Sequence, residues 1–132
     1  MGMKKEIFVG LAMIILLTAC GSKSTTLNLE MKEFVFLPDT FTVPAGEPVT
    51  LNIKNTGTLE HEYVIMILGR EATIPFGEED EPGIFWEQEL EPAGSITVQF
   101  TAPAEAGEYQ VVCGTAGHLE QGMKGKLIVV AK

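Results

Sequence analysis

Three residues near the C-terminus carry side chains that bind soft metal ions, and they lie close together in the sequence. Cys113, His118 and Met123 follow one another at the spacing Cys-x4-His-x4-Met, in one loop between two apolar runs. They offer a thiolate, an imidazole and a thioether, a combination that favours copper over metals preferring oxygen ligands. The chain has one other histidine, His61, far upstream. Two histidines, one cysteine and a weak methionine form the ligand set of a blue-copper electron-transfer site.

Each of these residues also has an ordinary interpretation. A lone cysteine at a strand end is usually a small buried hydrophobe, and a lone histidine or methionine is usually a core or surface residue. Zinc also binds cysteine and histidine, but a thioether is a poor ligand for it, so the set favours copper. One mononuclear site uses both histidines, which leaves none for a second copper. The sequence therefore predicts a protein that is not an enzyme, and Trp86 is interpreted as a packing residue.

The N-terminal residues resemble a bacterial lipoprotein signal. A short basic segment precedes the apolar run Ile7–Leu17, which is too short for a comfortable transmembrane helix, and Leu-Thr-Ala-Cys20 follows directly. This pattern predicts a signal peptide over residues 1–19, lipidation of Cys20 and a short tether over 20–26. The alternative is an ordinary secretory signal with an incidental cysteine.

Lipidation of Cys20 would leave Cys113 without a disulfide partner. A lone thiol in an exported protein is a hazard unless a metal or a reaction occupies it. The two interpretations therefore support each other. They predict a protein anchored by lipid to the cell membrane, on its periplasmic or extracellular face.

The rest of the chain has the pattern of short β-strands. Apolar and polar residues alternate over Leu27–Lys32 and Val49–Lys54, and Tyr63–Leu68 is apolar throughout, as in an interior strand. The first of these runs continues into Phe34–Leu37, and the apolar run is the second half of a strand predicted over Leu59–Leu68. Further runs typical of strands are Thr40–Val43, Ile84–Leu90, Ser95–Thr101, Glu108–Val112 and Lys124–Val130. Residues 69–83 form a long connection with room for a helical turn. We predict one all-β domain over residues 27–132, an antiparallel Greek-key sandwich or barrel of about seven to eight strands.

Net charge limits the class of partner. The chain has 9 basic and 18 acidic residues, and removal of residues 1–19 leaves 7 basic and 17 acidic, a net charge of −10. Such a charge argues against nucleic acid and anionic lipid as partners and permits a basic protein. The run Glu78-Glu79-Asp80-Glu81 is most simply a solvated loop; the alternative is a docking patch for a cationic redox protein.

Several motifs together resemble the cupredoxins of the plastocyanin/azurin superfamily. They are Phe34-x-Phe36-x-Pro38, Asn55-x-Gly57-x-x-x-His61, and Gly107-x-Tyr109-x-x-x-Cys113 leading into Met123-Lys124-Gly125. The loop spacing is similar to that of auracyanin- and rusticyanin-like members, and the resemblance covers most of residues 27–130.

The resemblance implies a role for each residue of the site. His61, Cys113 and His118 would be strong equatorial copper ligands, and Met123 a weak axial one. The ring edge of His118 would be the electron exit, with Leu119 and Ala116 as an apolar docking patch beside it. The carbonyl of Glu60 would approach the copper from the other side.

One feature departs from the family pattern. Many relatives have an asparagine directly after the first histidine, hydrogen-bonded to a serine or threonine directly after the cysteine. Here those positions hold Glu62 and Gly114. The loop must therefore be restrained in another way. Hydrogen bonds near the cysteine sulfur tune the reduction potential, so the family pattern does not predict its value here.

The leading functional hypothesis is a monomeric, lipid-anchored carrier of single electrons at the outer side of the cytoplasmic membrane. Its donor and acceptor would be redox proteins, such as a basic cytochrome c or a membrane redox complex. One alternative is a protein that buffers or delivers copper without redox turnover, although the chain lacks the Met-rich or His-rich tracts that favour delivery. Another is a metal-free surface sandwich that only binds a partner.

Overall fold

Two β-sheets packed face to face form the protein. The computed structural model describes Gly2 and residues 24–132. The strands are β1 (Thr25–Lys32), β2 (Val35–Leu37), β3 (Thr40–Pro44), β4 (Pro48–Asn55), β5 (His61–Met66), β6 (Ile84–Leu90), β7 (Ser95–Thr101), β8 (Gly107–Cys113) and β9 (Lys124–Val130). One sheet has the order β2-β1-β4-β7 and the other has the order β3-β9-β8-β5-β6. The predicted all-β sandwich is thereby confirmed.

Alternating residues of the first sheet build one side of the core. In β4, Val49, Leu51 and Ile53 are at most 1% exposed, whereas the residues between them face outward. Because successive side chains of a strand point to opposite faces, this alternation buries one face of the sheet and leaves the other to solvent. The alternation seen in the sequence therefore assigns the core face of this strand correctly.

Strand β5 of the second sheet is buried on both faces. Tyr63 and Ile65 face the main core, whereas Val64 and Met66 belong to a smaller cluster on the outer face. That second cluster also contains Val112 and Leu119. The continuous apolar run predicted an interior strand, and β5 does lie between β8 and β6.

The sandwich differs from the prediction in two details of pairing. Residues 24–132 form nine strands rather than seven to eight, because the chain turns at Phe34 (φ 62°) and the first predicted run, Leu27–Leu37, is divided into β1 and β2. Two strand pairs, β1 with β4 and β3 with β9, are parallel rather than antiparallel. Turn signals specify neighbours in sequence, whereas these pairs join strands brought together by crossings between the sheets.

Strand β1 begins two residues before the predicted domain boundary. Thr25 and Thr26 pair with Val49 and Thr50, which assigns part of the predicted 20–26 tether to the sheet.

The predicted signal peptide and Cys20 lie outside the described residues. Among the residues that are described, none forms a helix with the length and apolar character that a membrane crossing requires.

The connection after β5 holds the expected helical turn, a 3-10 helix over Glu78–Gly83. Within it Asp80 is 4% exposed, and its carboxylate accepts hydrogen bonds from the amides of Thr73 (2.8 Å) and Gly77 (3.0 Å). Burial alone would raise the pKa of Asp80, but these bonds lower it below its ordinary value. One member of the acidic run is therefore a structural residue, while its three glutamates are exposed.

Trp86 has the packing role predicted for it. Its ring stacks on Phe100 with centroids 4.7 Å apart and planes 23° from parallel. This contact joins β6 of one sheet to β7 of the other, at the edge of the core.

Candidate metal centre

The loop between β8 and β9 is closed at its base by hydrogen bonds between its own residues. The amide of Cys113 donates to the carbonyl of Met123 (3.0 Å), and the amide of Met123 donates to the carbonyl of His118 (3.1 Å). Gly117 and Gly122 have φ of 83° and 89°, a backbone region that glycine adopts without strain. The loop therefore turns tightly enough to return residues 118 and 123 to the end of β8.

A second turn delivers His61 to the same place. The buried side chain of Asn55 donates to the carbonyls of Leu59 (2.8 Å) and Leu90 (2.9 Å), and accepts from the amide of Gly57 (3.0 Å). These bonds satisfy the amide group of Asn55 and fix the chain between β4 and β5. His61 is the first residue of β5 and is fully buried.

Three of the four predicted ligands have their donor atoms close together. The Nδ1 atoms of His61 and His118 are 3.1 Å apart, and the Cys113 Sγ lies 3.5 Å from His118 Nδ1 and 4.0 Å from His61 Nδ1. Within residues 24–132 Cys113 is a free, buried thiol. The structure therefore brings one sulfur and two nitrogens close enough together to bind a single metal ion.

Met123 belongs to the same cluster of buried residues. It is fully buried, and it packs in the core with Cys113. Its backbone bonds to Cys113 and His118 fix its position beside the other three. The side chain thus has an apolar environment, which suits a weakly bound thioether.

The environment favours the uncharged form of both imidazoles. Burial lowers the pKa of His61, with a further contribution from His118, and burial also lowers the pKa of His118. A neutral imidazole is the form that binds a metal, so burial favours the metal-binding form of both histidines. The Nε2 atom of His61 is buried and has no hydrogen-bond partner among the described residues.

This donor set fits copper better than other common metals. A thiolate and two imidazoles with a nearby thioether are soft or intermediate donors, and no carboxylate joins the three-residue group. Such a trigonal set with a weak axial sulfur binds both Cu(I) and Cu(II), which is the requirement for one-electron transfer.

The surface beside His118 differs from the prediction. Leu119 is 5% exposed and packs with Val64, Met66 and Val112, so it forms no docking surface. Its predicted role was wrong because it was placed by sequence distance from His118. Ala116, by contrast, is exposed.

Phe34 supplies the apolar contact that sequence reasoning missed. It is 38% exposed, and its ring meets the His118 ring edge to face, with centroids 5.3 Å apart. Its φ of 62° is unusual for a bulky residue and turns the side chain out of the β1–β2 ribbon. His118 itself is 6% exposed, so only a small part of its ring reaches the surface.

Hydrogen bonds around His61 replace the tie that Glu62 and Gly114 cannot form. The amide of Gly114 donates to the carbonyl of Glu62 (3.2 Å), and the hydroxyl of Thr115 donates to the carbonyl of Glu60 (3.2 Å). The Glu60 carbonyl, predicted to approach the copper, is thus hydrogen-bonded to the ligand loop.

Acidic side chains surround this end of the sandwich. The carboxylates of Glu60, Glu89 and Glu91 lie within 4.8 Å of one another. Burial and the neighbouring charges of Glu89 and Glu91 raise the pKa of Glu60, and burial with nearby glutamates raises that of Glu62. The rim of the centre is therefore strongly negative.

Comparisons with known proteins identify the family of the chain. The sequence profile of the Cupredoxin-like domain matches residues 6–85, a range that ends before the ligand loop. The copper-resistant cuproprotein CopI of Rubrivivax gelatinosus is 34% identical over 103 residues, covering 71% of this chain and 59% of its own length. Auracyanin-A of Chloroflexus aurantiacus is 31% identical over 126 residues, covering 83% of this chain and 76% of its own.

Solved structures give the same result for the fold. A dithionite-reduced auracyanin from Roseiflexus castenholzii superposes with a TM-score of 0.67 at 33% identity, covering 83% of this chain and 99% of that one. Auracyanin A, described as a blue copper protein from Chloroflexus aurantiacus, superposes with a TM-score of 0.68 at 28% identity, covering 82% and 100%. This chain thus spans about three fifths of CopI and nearly all of each auracyanin structure.

Proposed function

Because the chain belongs to the cupredoxin family, we propose that it is a mononuclear type 1 copper protein that carries single electrons. The observation that carries the proposal is the convergence of His61 Nδ1, Cys113 Sγ and His118 Nδ1 in a buried cluster. Copper, when bound, supplies a one-electron Cu(I)/Cu(II) couple.

Each residue of the site has a distinct part in this proposal. Cys113, His61 and His118 would hold the copper strongly, and Met123 would bind it weakly through its thioether. The turn bonds of the loop and the Asn55 side chain hold these groups in place before any metal binds. A prepared site of this kind needs little rearrangement between the two oxidation states, which permits fast transfer. Since one site uses both histidines, we propose no catalytic turnover.

A basic redox protein fits the surface at the copper end. Phe34 and Leu59 are 38% and 44% exposed, and both adjoin Glu33, whose carboxylate accepts the Leu59 amide hydrogen. Phe34 contacts the His118 ring, and Ala116 is exposed two residues before His118; we call the exposed residues Phe34, Leu59 and Ala116 the copper-end patch. The glutamates at its rim would steer a cationic partner by long-range attraction.

We also propose that the carrier works at a membrane surface. The support is the lipoprotein-like pattern that ends at Cys20, together with the free thiol of Cys113 within residues 24–132. A lipid on Cys20 would confine diffusion of the carrier to the outer side of the membrane, as a monomer between its donor and acceptor. The test is cell fractionation: the wild-type protein should partition with membranes, whereas Cys20→Ser should lose that association. Equal partition of the two proteins would contradict lipid anchoring.

A second candidate function is copper buffering without redox turnover. It is favoured by the name of one relative, a copper-resistant cuproprotein. The same ligands would serve either role. The two candidates differ in how firmly the site holds its metal, since a carrier must keep copper through many redox cycles and a buffer must release it to an acceptor.

The test of the first candidate is spectroscopy of the full chain after addition of Cu(II). We expect intense visible absorption from the bond between copper and the Cys113 thiolate, and loss of that absorption in Cys113→Ala. Repeated reduction and oxidation in the presence of a copper chelator then separates carrier from buffer. Retained copper supports the carrier, released copper supports the buffer, and a colourless copper-loaded protein would rule out a type 1 site.

A further inference from the structure

The centre joins segments that are far apart in the sequence. His61 begins β5, whereas Cys113 and His118 flank the far end of β8. Pairing of Tyr63 with Cys113 aligns β5 with β8, and hydrogen bonds between the ligand loop and residues on either side of His61 add to that alignment. Groups that orient the ligands of a metal site influence both its affinity and its redox behaviour.

Thr115 makes one hydrogen bond to the segment before His61 and another within the ligand loop. Its hydroxyl donates a hydrogen bond of 3.2 Å to the carbonyl of Glu60, the residue directly before His61. Its own carbonyl accepts a hydrogen bond of 3.1 Å from the amide of His118. One residue is thus bonded to the segments that carry both histidines.

The packing at Gly114 explains why the hydroxyl comes from position 115. A Cβ atom at residue 114 would collide with the carboxylate of Glu62 and would lie 3.1 Å from Cγ2 of Val64. With Glu62 in place, a serine or threonine cannot replace Gly114 without displacing the carboxylate. Gly114 instead donates its amide to the Glu62 carbonyl. Hydrogen bonds from residues 114 and 115 therefore flank His61 on both sides.

We propose that Thr115 is a positioning residue that links His61 to His118 and thereby fixes the separation of the copper ligands. Its hydroxyl takes the place of the asparagine–serine tie that Glu62 and Gly114 remove. The inference rests on the proposed function for its chemistry, but the link itself is a property of the metal-free chain.

The test compares Thr115→Val with Thr115→Ser in the full chain. Valine keeps the shape of threonine without the hydroxyl, and serine keeps the hydroxyl. Loss of such an outer contact typically lowers metal affinity by about 10- to 100-fold, so we expect Thr115→Val to release copper to a chelator faster by about that factor. Thr115→Ser should stay within about threefold of wild type.

Two further measurements separate positioning from simple stabilisation. The EPR spectrum of the Cu(II) form should change in Thr115→Val and return to the wild-type form in Thr115→Ser, which a purely structural role would not produce. The matched control is Thr97→Val in β7 of the other sheet, where the lost hydroxyl bond is to Asn52 (2.8 Å). This control should leave both copper release and the EPR spectrum unchanged.

The outcomes distinguish this inference from the proposed function. Wild-type copper release and an unchanged spectrum in Thr115→Val would overturn the link. If Thr115→Val does not fold, the same copper-release and EPR measurements are compared between Thr115→Ala and Thr115→Ser. A wild-type protein that binds copper without visible absorption would contradict the electron carrier, yet the release rates of the variants would still test Thr115.

Discussion

The amide of Cys113 donates a hydrogen bond of 3.0 Å to the carbonyl of Met123. This bond joins the two ends of the ligand loop across its base, so the strongest and the weakest proposed ligands share one rigid frame. A change in the Met123 side chain should therefore alter the metal's environment without opening the loop, because the bond involves only backbone atoms.

The axial role of Met123 leads to the first prediction. Met123→Leu should keep the three strong ligands and the visible absorption but raise the reduction potential, since loss of a donor destabilises Cu(II) more than Cu(I). A tenfold shift in that equilibrium corresponds to about 59 mV for one electron, which redox titration resolves easily.

The control for this change is Met31→Leu, at a fully buried methionine of β1. Because leucine and methionine have similar volumes, this core substitution should lower the free energy of unfolding by less than about 1.5 kcal/mol and leave the reduction potential unchanged. An equal shift of potential in both variants would show that Met123 acts through packing alone.

Asn55 leads to the second prediction, which concerns stability. Asn55→Ala removes three hydrogen bonds and leaves the carbonyls of Leu59 and Leu90 without that donor. At about 1 kcal/mol for each bond, the free energy of unfolding should fall by about 3 kcal/mol. Chemical denaturation of the metal-free chain measures this change.

Asn52, three residues earlier on β4, is the matched position. Its side chain bonds to Asn28 (2.9 Å) and accepts from Thr97 (2.8 Å) at the surface. Because water can replace these partners, Asn52→Ala should lower the free energy of unfolding by less than about 1 kcal/mol. Similar losses at positions 52 and 55 would refute the special role of Asn55 in the turn before His61.

The third prediction concerns the dependence of stability on pH. The carboxylate of Glu33 accepts hydrogen bonds from the amides of Thr58 (2.5 Å) and Leu59 (3.1 Å), which lower its pKa from 4.5 to about 2. A depressed pKa means that the charged form stabilises the folded state. This stabilisation is complete above pH 4.5 and is lost as the pH falls from 4.5 towards 2.

Glu33→Gln should therefore lower the melting temperature of the metal-free chain at neutral pH, and the difference from wild type should shrink as the pH approaches 2. Thermal scans between pH 2 and pH 7 provide the measurement. The same substitution at Glu120, an exposed residue of the ligand loop, is the control. A difference for Glu33→Gln that stays constant with pH would show that the lost interaction does not depend on the charge.

The copper-end patch leads to the fourth prediction. Phe34→Ser removes the ring that meets His118 and should slow electron exchange with a small cationic redox protein, measured by stopped-flow mixing. We expect a rate about tenfold lower, which corresponds to about 1.4 kcal/mol in the free energy of activation. Phe85→Ser, at a ring of similar exposure (39%) on β6, should leave the rate unchanged.

Local patterns were sufficient for most of the fold. Alternation in β4 assigned Val49, Leu51 and Ile53 to the core, and the apolar run of β5 predicted an interior strand. The spacing of Cys113, His118 and Met123 predicted their common loop, because short loops keep neighbours in sequence close in space. These features depend on interactions between residues close together in the chain, so they can be predicted from one sequence.

Contacts between distant segments were not predictable in the same way. Phe34 reaches His118 because positive φ turns it out of its ribbon, and no sequence pattern indicates that conformation at a phenylalanine. Leu119 appeared available for docking, yet it packs beneath the loop against β5 and β8. Asp80 belongs to an acidic run in the sequence, but its carboxylate is buried and accepts hydrogen bonds from the amides of Thr73 and Gly77. In each case packing between segments determined the outcome.

The direction of β1 has a consequence for how the protein would stand on a membrane. The strand enters the sandwich at Thr25 and ends at Lys32, next to the turn that holds Phe34. Eight extended residues span about 25 Å, so the chain enters at one end of the molecule and the copper-end patch lies at the other. A lipid upstream of Thr25 would therefore point the patch away from the bilayer. With the proposed anchor and the proposed electron-carrier role, the protein would meet partners that project into the aqueous space more readily than partners level with the lipid headgroups.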